Sequence, residues 1–128
     1  MGPLRAVARD QVVLFLVEFK RLVWAGGFCF VGRRENLEAI ARLGWTEDAL
    51  TEFLCSLTPD NYVGGPEGDR DVPGEDVWFF GAEIEGREFY IKLKIRRLGE
   101  EKGQALCLSF HPAQRGLVYP HRPAKRKS

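Results

Sequence analysis

Tyr90, Lys92, Lys94 and Arg96 recur at every second position of the segment EFYIKLKIRR, Glu88 to Arg97, with Phe89, Ile91, Leu93 and Ile95 between them. Side chains of a strand alternate between its two faces, so this spacing predicts one cationic face that includes a phenol and one apolar face to be buried. Arg97 closes the segment with a further cation. In a second stretch, Ala105 to His111, the expected core face is Leu106, Leu108 and Phe110, which sends Ala105, Cys107, Ser109 and His111 to the other side. If the two strands are neighbours, Ser109 and His111 join Tyr90, Lys92, Lys94 and Arg96 on one open face. That set has the chemistry of a ribonuclease that needs no metal. Cleaving RNA by its own 2′-hydroxyl requires a group to take that proton, an acid for the leaving 5′-oxygen, and cations for the charge gathering on the phosphorane. Histidine suits either proton task, lysine and arginine suit the third, and tyrosine donates a proton or stacks on a base. No carboxylate cluster of the magnesium-holding kind is evident on these strands.

The elements that must position this face read as helices first and strands later. Arg5 to Trp24 has no proline and places Val13, Leu16, Val17, Phe19 or Lys20, and Val23 near one stripe, predicting an amphipathic helix closed by Gly26 and Gly27. Phe28 to Val31 is a short apolar run suited to an edge strand. Arg34 to Leu43 reads as a second helix ending at Gly44. Thr46 caps a third, with Leu50, Phe53, Leu54 and Leu57 as its stripe and Thr58-Pro59-Asp60 as its stop. From Gly64 to Glu75 the sequence GGPEGDRDVPGE predicts an exposed loop. Three strands follow, Asp76 to Ile84, Arg87 to Arg97 and Ala105 to His111, joined by turns at Glu85-Gly86 and Gly99 to Gly103. The tryptophans at 24, 45 and 78 are expected as core or interface anchors. The expected architecture is α+β, with N-terminal helices packed on one face of a small antiparallel sheet.

Length and charge set the frame around these elements. A chain of 128 residues fits one domain, expected here over 1–120, followed by a basic flexible tail at 121–128, and can bury roughly two-thirds of its unfolded surface. Net charge is only +1, yet the charges are segregated. Residues 1–34 carry six basic and two acidic side chains, residues 35–84 two and twelve, and residues 85–128 eleven and four. A basic surface suited to a polyanion is one consequence of that asymmetry. Cys29, Cys55 and Cys107 are dispersed and odd in number, which suggests neither a disulfide framework nor a metal knuckle and points to a reducing, cytoplasmic location. The most apolar run, Val12 to Val17, is too short to span a bilayer, and neither a membrane partner nor a signal peptide is expected.

The order of helices followed by LTPDNY, EDVWFFG, FYIKLKI and ALCLSFH resembles the MqsR family of type II toxins, RelE-like messenger-RNA interferases, over roughly Arg34 to Pro112. The resemblance implies a RelE-like toxin domain, an endoribonuclease that cuts mRNA with no metal or other cofactor and is neutralised by a cognate antitoxin protein. Carried over residue by residue, the family's strand tyrosine falls on Tyr90 and its lysine on Lys92, while the basic residue closing the last strand falls on His111. These three are the expected catalytic residues, with Lys94, Arg96, Arg97 and Ser109 as substrate-binding residues. Two positions depart from the pattern. The family lysine after Asp-x-Tyr falls on Val63, which cannot contact phosphate as a cation, and a family glutamine falls on Glu75, whose charge repels phosphate. Two other classes use the same residues: a non-catalytic RNA-binding sheet, or a protein-interaction module whose basic face meets an acidic partner.

Overall fold

The residues described by the computed structural model are 4–100 and 102–123. In chain order they form α1 (Arg9–Trp24), β1 (Phe28–Phe30), α2 (Arg34–Leu43), α3 (Glu47–Cys55), a 3-10 turn at Pro59–Asn61, β2 (Tyr62–Gly68), β3 (Asp76–Ile84), β4 (Arg87–Arg97) and β5 (Gly103–Pro112). The strands make one mixed sheet in the order β1-β5-β4-β3-β2. β2 to β5 pair antiparallel in succession, and β1 adds a parallel pairing to β5. The fold is therefore α+β, with the helices N-terminal to the meander. No described helix is long and apolar enough to cross a membrane.

Local signals set most boundaries. Thr46 Oγ1 accepts the Ala49 N–H at 3.1 Å, satisfying one of the free donors at the start of α3. The β3–β4 connection holds Glu85 and Gly86 at φ 51° and 78°, the left-handed pair that matches the twist of a two-residue hairpin. α1 starts at Arg9, four residues later than expected. The chain before it is drawn to the edge of β2 instead: Gly65 N–H donates to Arg5 O at 2.7 Å, Arg5 N–H to Glu67 Oε1 at 3.1 Å, and Val7 N–H to the Tyr62 hydroxyl at 3.1 Å. The first part of the expected loop, Gly64 to Gly68, belongs to strand β2 because it pairs with β3, Gly64 opposite Phe79 and Gly68 opposite Asp76. Glycine and proline are tolerated there because the strand is an edge with two register shifts against β3.

The helical side of the sheet holds the main core. α1 contributes Val12, Phe15, Leu16, Phe19 and Leu22, so its buried stripe is rotated from the expected one, and Val13 and Val17 face outward. Both stripes are apolar, and the one carrying two phenylalanines is buried: Phe15 stacks on Trp78 at 4.5 Å between ring centroids. α3 adds Leu50 and Leu54, and Trp45 packs on Phe53 and Phe110. From the sheet come Phe80, Phe89, Ile91, Leu93, Ala105, Cys107 and Phe110. A smaller apolar cluster of Val77, Phe79, Leu106 and Leu108 lies on the opposite face.

β5 corrects the expected division of its side chains. Lys92 pairs with Ser109 but Leu93 pairs with Cys107, leaving Leu108 as an extra residue in a bulge. Beyond the bulge Phe110 is in the core and Ser109 and His111 face away, as the alternation predicts. Before it the assignment inverts: Ala105 and Cys107 enter the core, and Leu106 joins the face of Lys94. Where β1 ends, the buried Asn36 of α2 takes over the β5 edge. Its Nδ2 donates to Val31 O at 2.9 Å and Leu108 O at 3.0 Å, and its Oδ1 accepts the Phe110 N–H at 2.9 Å. Among the described residues no buried side-chain nitrogen or oxygen is left without a hydrogen-bond partner. The basic tail expected from 121 opens with His121 packed, its ring 5.4 Å from that of Tyr62 and its Nε2 2.7 Å from Val7 O; residues 124–128 lie outside the described residues.

Candidate functional site

β4 lies at the centre of the sheet, and the face turned away from the helices is organised by its cross-strand rows. Successive rows are Gly81–Tyr90–His111, Phe79–Lys92–Ser109 and Val77–Lys94–Leu106, with Arg96 opposite Gln104 beyond them. Tyr90, Lys92, Ser109 and His111 are thus brought together in two adjacent rows. The Tyr90 and His111 rings are 5.5 Å apart, and Lys92 Nζ lies 5.8 Å from the Phe79 ring centre. His111 Nδ1 is 3.1 Å from the carbonyl oxygen of Pro112. A carbonyl only accepts, so Nδ1 carries a proton and the lone pair of the neutral ring is on Nε2.

Lys94 and Arg96 share this face but are both engaged in ion pairs, Lys94 buried and Arg96 partly exposed. The loop Asp69–Glu75, between β2 and β3, folds across them. Lys94 is 1% exposed, with its Nζ 2.5 Å from both Asp69 Oδ2 and Glu75 Oε1. Arg96 Nε lies 3.1 Å from Glu75 Oε2. The hydrogen bond from Lys94, then the Asp71 N–H, hold the Asp69 carboxyl below the usual carboxylate range. Arg96 first and Lys94 second do the same for Glu75. Burial alone pushes the Lys94 ammonium down, but its hydrogen bonds to these two carboxylates outweigh burial and leave it raised. Glu75, expected to repel a phosphate, instead occupies the cations a phosphate would seek. Arg97 is not on this face. It belongs with Leu93 and Ile95 on the helical side, where Nη1 lies 2.8 Å from Glu18 Oε1 of α1.

The other end of the face is bounded by the chain after β5. Leu117 N–H donates to Glu88 Oε1 at 2.9 Å and the Tyr119 hydroxyl to Glu88 Oε2 at 2.8 Å. Gly81 admits this segment, since a Cβ there would stand 2.5 Å from Leu117 Cδ1. A cavity of about 270 Å³ is left between Tyr90, His111, Ala113, Gln114, Arg115 and Leu117. A larger one of about 500 Å³, beside Trp24 and Cys55 between α1 and α3, is remote from these rows.

Lys92 lies between the two covers. Its ammonium makes no ion pair among the described residues, and burial, followed by the positive charge of Arg33, lowers its pKa. Arg70 acts in the same direction, against Asp69 and Asp71. Burial raises the phenol of Tyr90. Arg33 and Arg70 were not expected from the sequence, because one precedes α2 and the other sits in the acidic loop; no periodicity links either to β4. Val63 packs against the apolar cluster on this face, consistent with its inability to act as a cation. Among the described residues no three His, Cys, Asp or Glu side chains converge as metal ligands.

No family model, curated protein or solved structure matches the chain. The fold and face define a class only: an α+β domain whose sheet presents a partly neutralised cationic surface with an aromatic and imidazole end.

Proposed function

We propose that this chain is a metal-independent endoribonuclease that cuts mRNA, the toxin of a type II toxin–antitoxin pair of the MqsR and RelE-like kind. The observation that carries the reading is the pairing of Tyr90 with His111 and of Lys92 with Ser109 in adjacent rows of β4 and β5. His111 Nε2 takes the proton of the 2′-hydroxyl, O2′ attacks phosphorus, and the bond from phosphorus to O5′ breaks. Lys92, whose lowered pKa makes it a stronger acid than an ordinary lysine, stabilises the phosphorane and delivers the proton to O5′. Tyr90 holds its phenolic proton, orients a phosphate oxygen or the ribose, and offers a ring to a base. The products are a 2′,3′-cyclic phosphate and a free 5′-hydroxyl. In this reading a cognate antitoxin silences the protein by covering the Tyr90–Lys92–His111 end.

The test is cleavage of a mixed-sequence RNA in EDTA by wild type, His111→Ala and Lys92→Ala, with analysis of product ends. Cyclic phosphate ends from wild type, lost in both variants, support the mechanism. RNA that is bound but left intact by well-folded wild type points to a non-catalytic RNA-binding sheet. Cutting unchanged in His111→Ala removes that residue from the mechanism.

A further inference from the structure

The cavity beside His111 has one wall, from Ala113 to Leu117, that the cleavage chemistry does not use. Its walls are the Tyr90 and His111 rings on the sheet and the chain from Ala113 to Leu117 above them. The Leu117 wall is held in place by the Leu117 N–H on Glu88, by the Tyr119 hydroxyl on the same carboxylate, and by Arg122 lying 3.7 Å over the Tyr119 ring. Such a wall is built before any ligand arrives, which lowers the cost of ordering it. At about 270 Å³ the space is below the ~300 Å³ at which sites for drug-sized ligands begin. A volume of that size suits a single ring system. Gln114 and Arg115 complete a lining that is nearly all apolar, as suits the face of a base rather than its edge.

What lies beside the cavity narrows the ligand further. Lys92 is two residues along β4 from Tyr90, about 7 Å away at the usual strand rise, with the charges of Arg33, Asp69, Asp71 and Arg70 around it. A ring-walled apolar cavity next to a lysine fits a nucleotide, with its base between the aromatic rings and Leu117 and its phosphate at Lys92. We infer that this cavity receives one unstacked nucleobase of the bound RNA, adjacent to the phosphate that Lys92 holds. The inference rests on the RNA reading above but not on cleavage.

The probe is a set of short 2′-O-methyl RNAs, which cannot be cut, each with 2-aminopurine at one position. Anisotropy of an end label reports binding, and 2-aminopurine fluorescence reports stacking. The expected result is quenching at one position only. Ala113→Phe, which fills the cavity, should abolish that quenching and weaken binding about tenfold, the scale of one lost base stack. Leu117→Ala, which removes a wall without adding bulk, should weaken quenching in the same direction. Binding with no quenching at any position, or unchanged quenching in a folded Ala113→Phe, overturns the inference and leaves the ribonuclease reading standing. Quenching without cleavage of ordinary RNA supports the base site while removing the catalytic reading. Absence of any binding overturns both.

Discussion

Lys92 and Lys94 are the same residue type, on the same strand and the same face, two positions apart, yet one is a site candidate and the other is structure. The difference comes from what other parts of the chain lay over them. Asp69 and Glu75 reach Lys94 from the loop after β2 and neutralise it in a nearly dry setting, while Lys92 pairs with neither and sits in the row next to Tyr90 and His111. A cationic stripe on a strand is therefore an inventory of charges; the loops that return to it decide which charges remain available.

The sharpest way to break this contrast is to remove each lysine in turn. Lys92→Ala and His111→Ala are each expected to lower RNA cleavage by a factor on the order of 10² to 10⁴, with urea unfolding midpoints close to wild type. Lys94→Met should do the reverse. It leaves Asp69 without its cation at a nearly buried position and Glu75 with Arg96 alone, and should cost about 3 kcal/mol of stability, read from urea denaturation. Equal losses of stability in Lys92→Ala and Lys94→Met would erase the distinction.

Acid sharpens the same point. Asp69 and Glu75 are both held below their ordinary pKa values, so the stability they contribute is fully present above about pH 4.5 and is lost as pH falls through their depressed folded-state values. The stability gap between wild type and Lys94→Met should be widest near neutral pH and shrink from about pH 4 downward. A gap that stays constant from pH 7 to pH 3 would assign the loss to packing. Glu75→Gln tests the cover on the binding side. Freeing Arg96 should steepen the dependence of single-stranded RNA affinity on salt by about 0.7 in log–log slope; an unchanged slope means Arg96 does not reach the strand. The smallest effect is expected at Glu18→Gln, which releases Arg97 on the helical side. Stability should fall by less than ~1 kcal/mol, and cleavage should not change.

Where punctuation was strong, the sequence was legible. α2 and α3 follow from Gly44 and the Thr46 cap, and the β3–β4 hairpin from Glu85-Gly86 between alternating strands. Tyr90, Lys92, Ser109 and His111 were correctly grouped because alternation in β4 is unambiguous and Phe110 has the bulk to claim the core. Alternation failed in β5 before the bulge, where Ala105, Leu106, Cys107 and Leu108 are all apolar and no period distinguishes the faces. The stripe of α1 failed for the same reason, since Val13 and Val17 are as apolar as Val12 and Leu16. Neither cover over the sheet was visible. The acid-rich stretch Asp69 to Glu75 reads locally as a solvated loop, and its attachment to Lys94 and Arg96 exists only once β2 and β3 have placed it. The lid from Ala113 to Leu117 carries no periodic signal at all; it depends on the missing side chain of Gly81 and on the carboxylate of Glu88.

Asn36 has a consequence for how this molecule meets other proteins. Sheets commonly recruit partners by lending them an unpaired strand edge. Here one side-chain amide takes up the backbone groups of β5 beyond β1, and the residues leading into α1 do the same for part of β2. Much of the sheet's border is thereby spoken for, and β1 offers a border only three residues long. A protein that captures this chain has little ladder to extend, and must recognise it through side chains on a face. Replacing Asn36 by alanine would reopen the border next to Phe110, and the first symptom to look for is self-association with rising concentration.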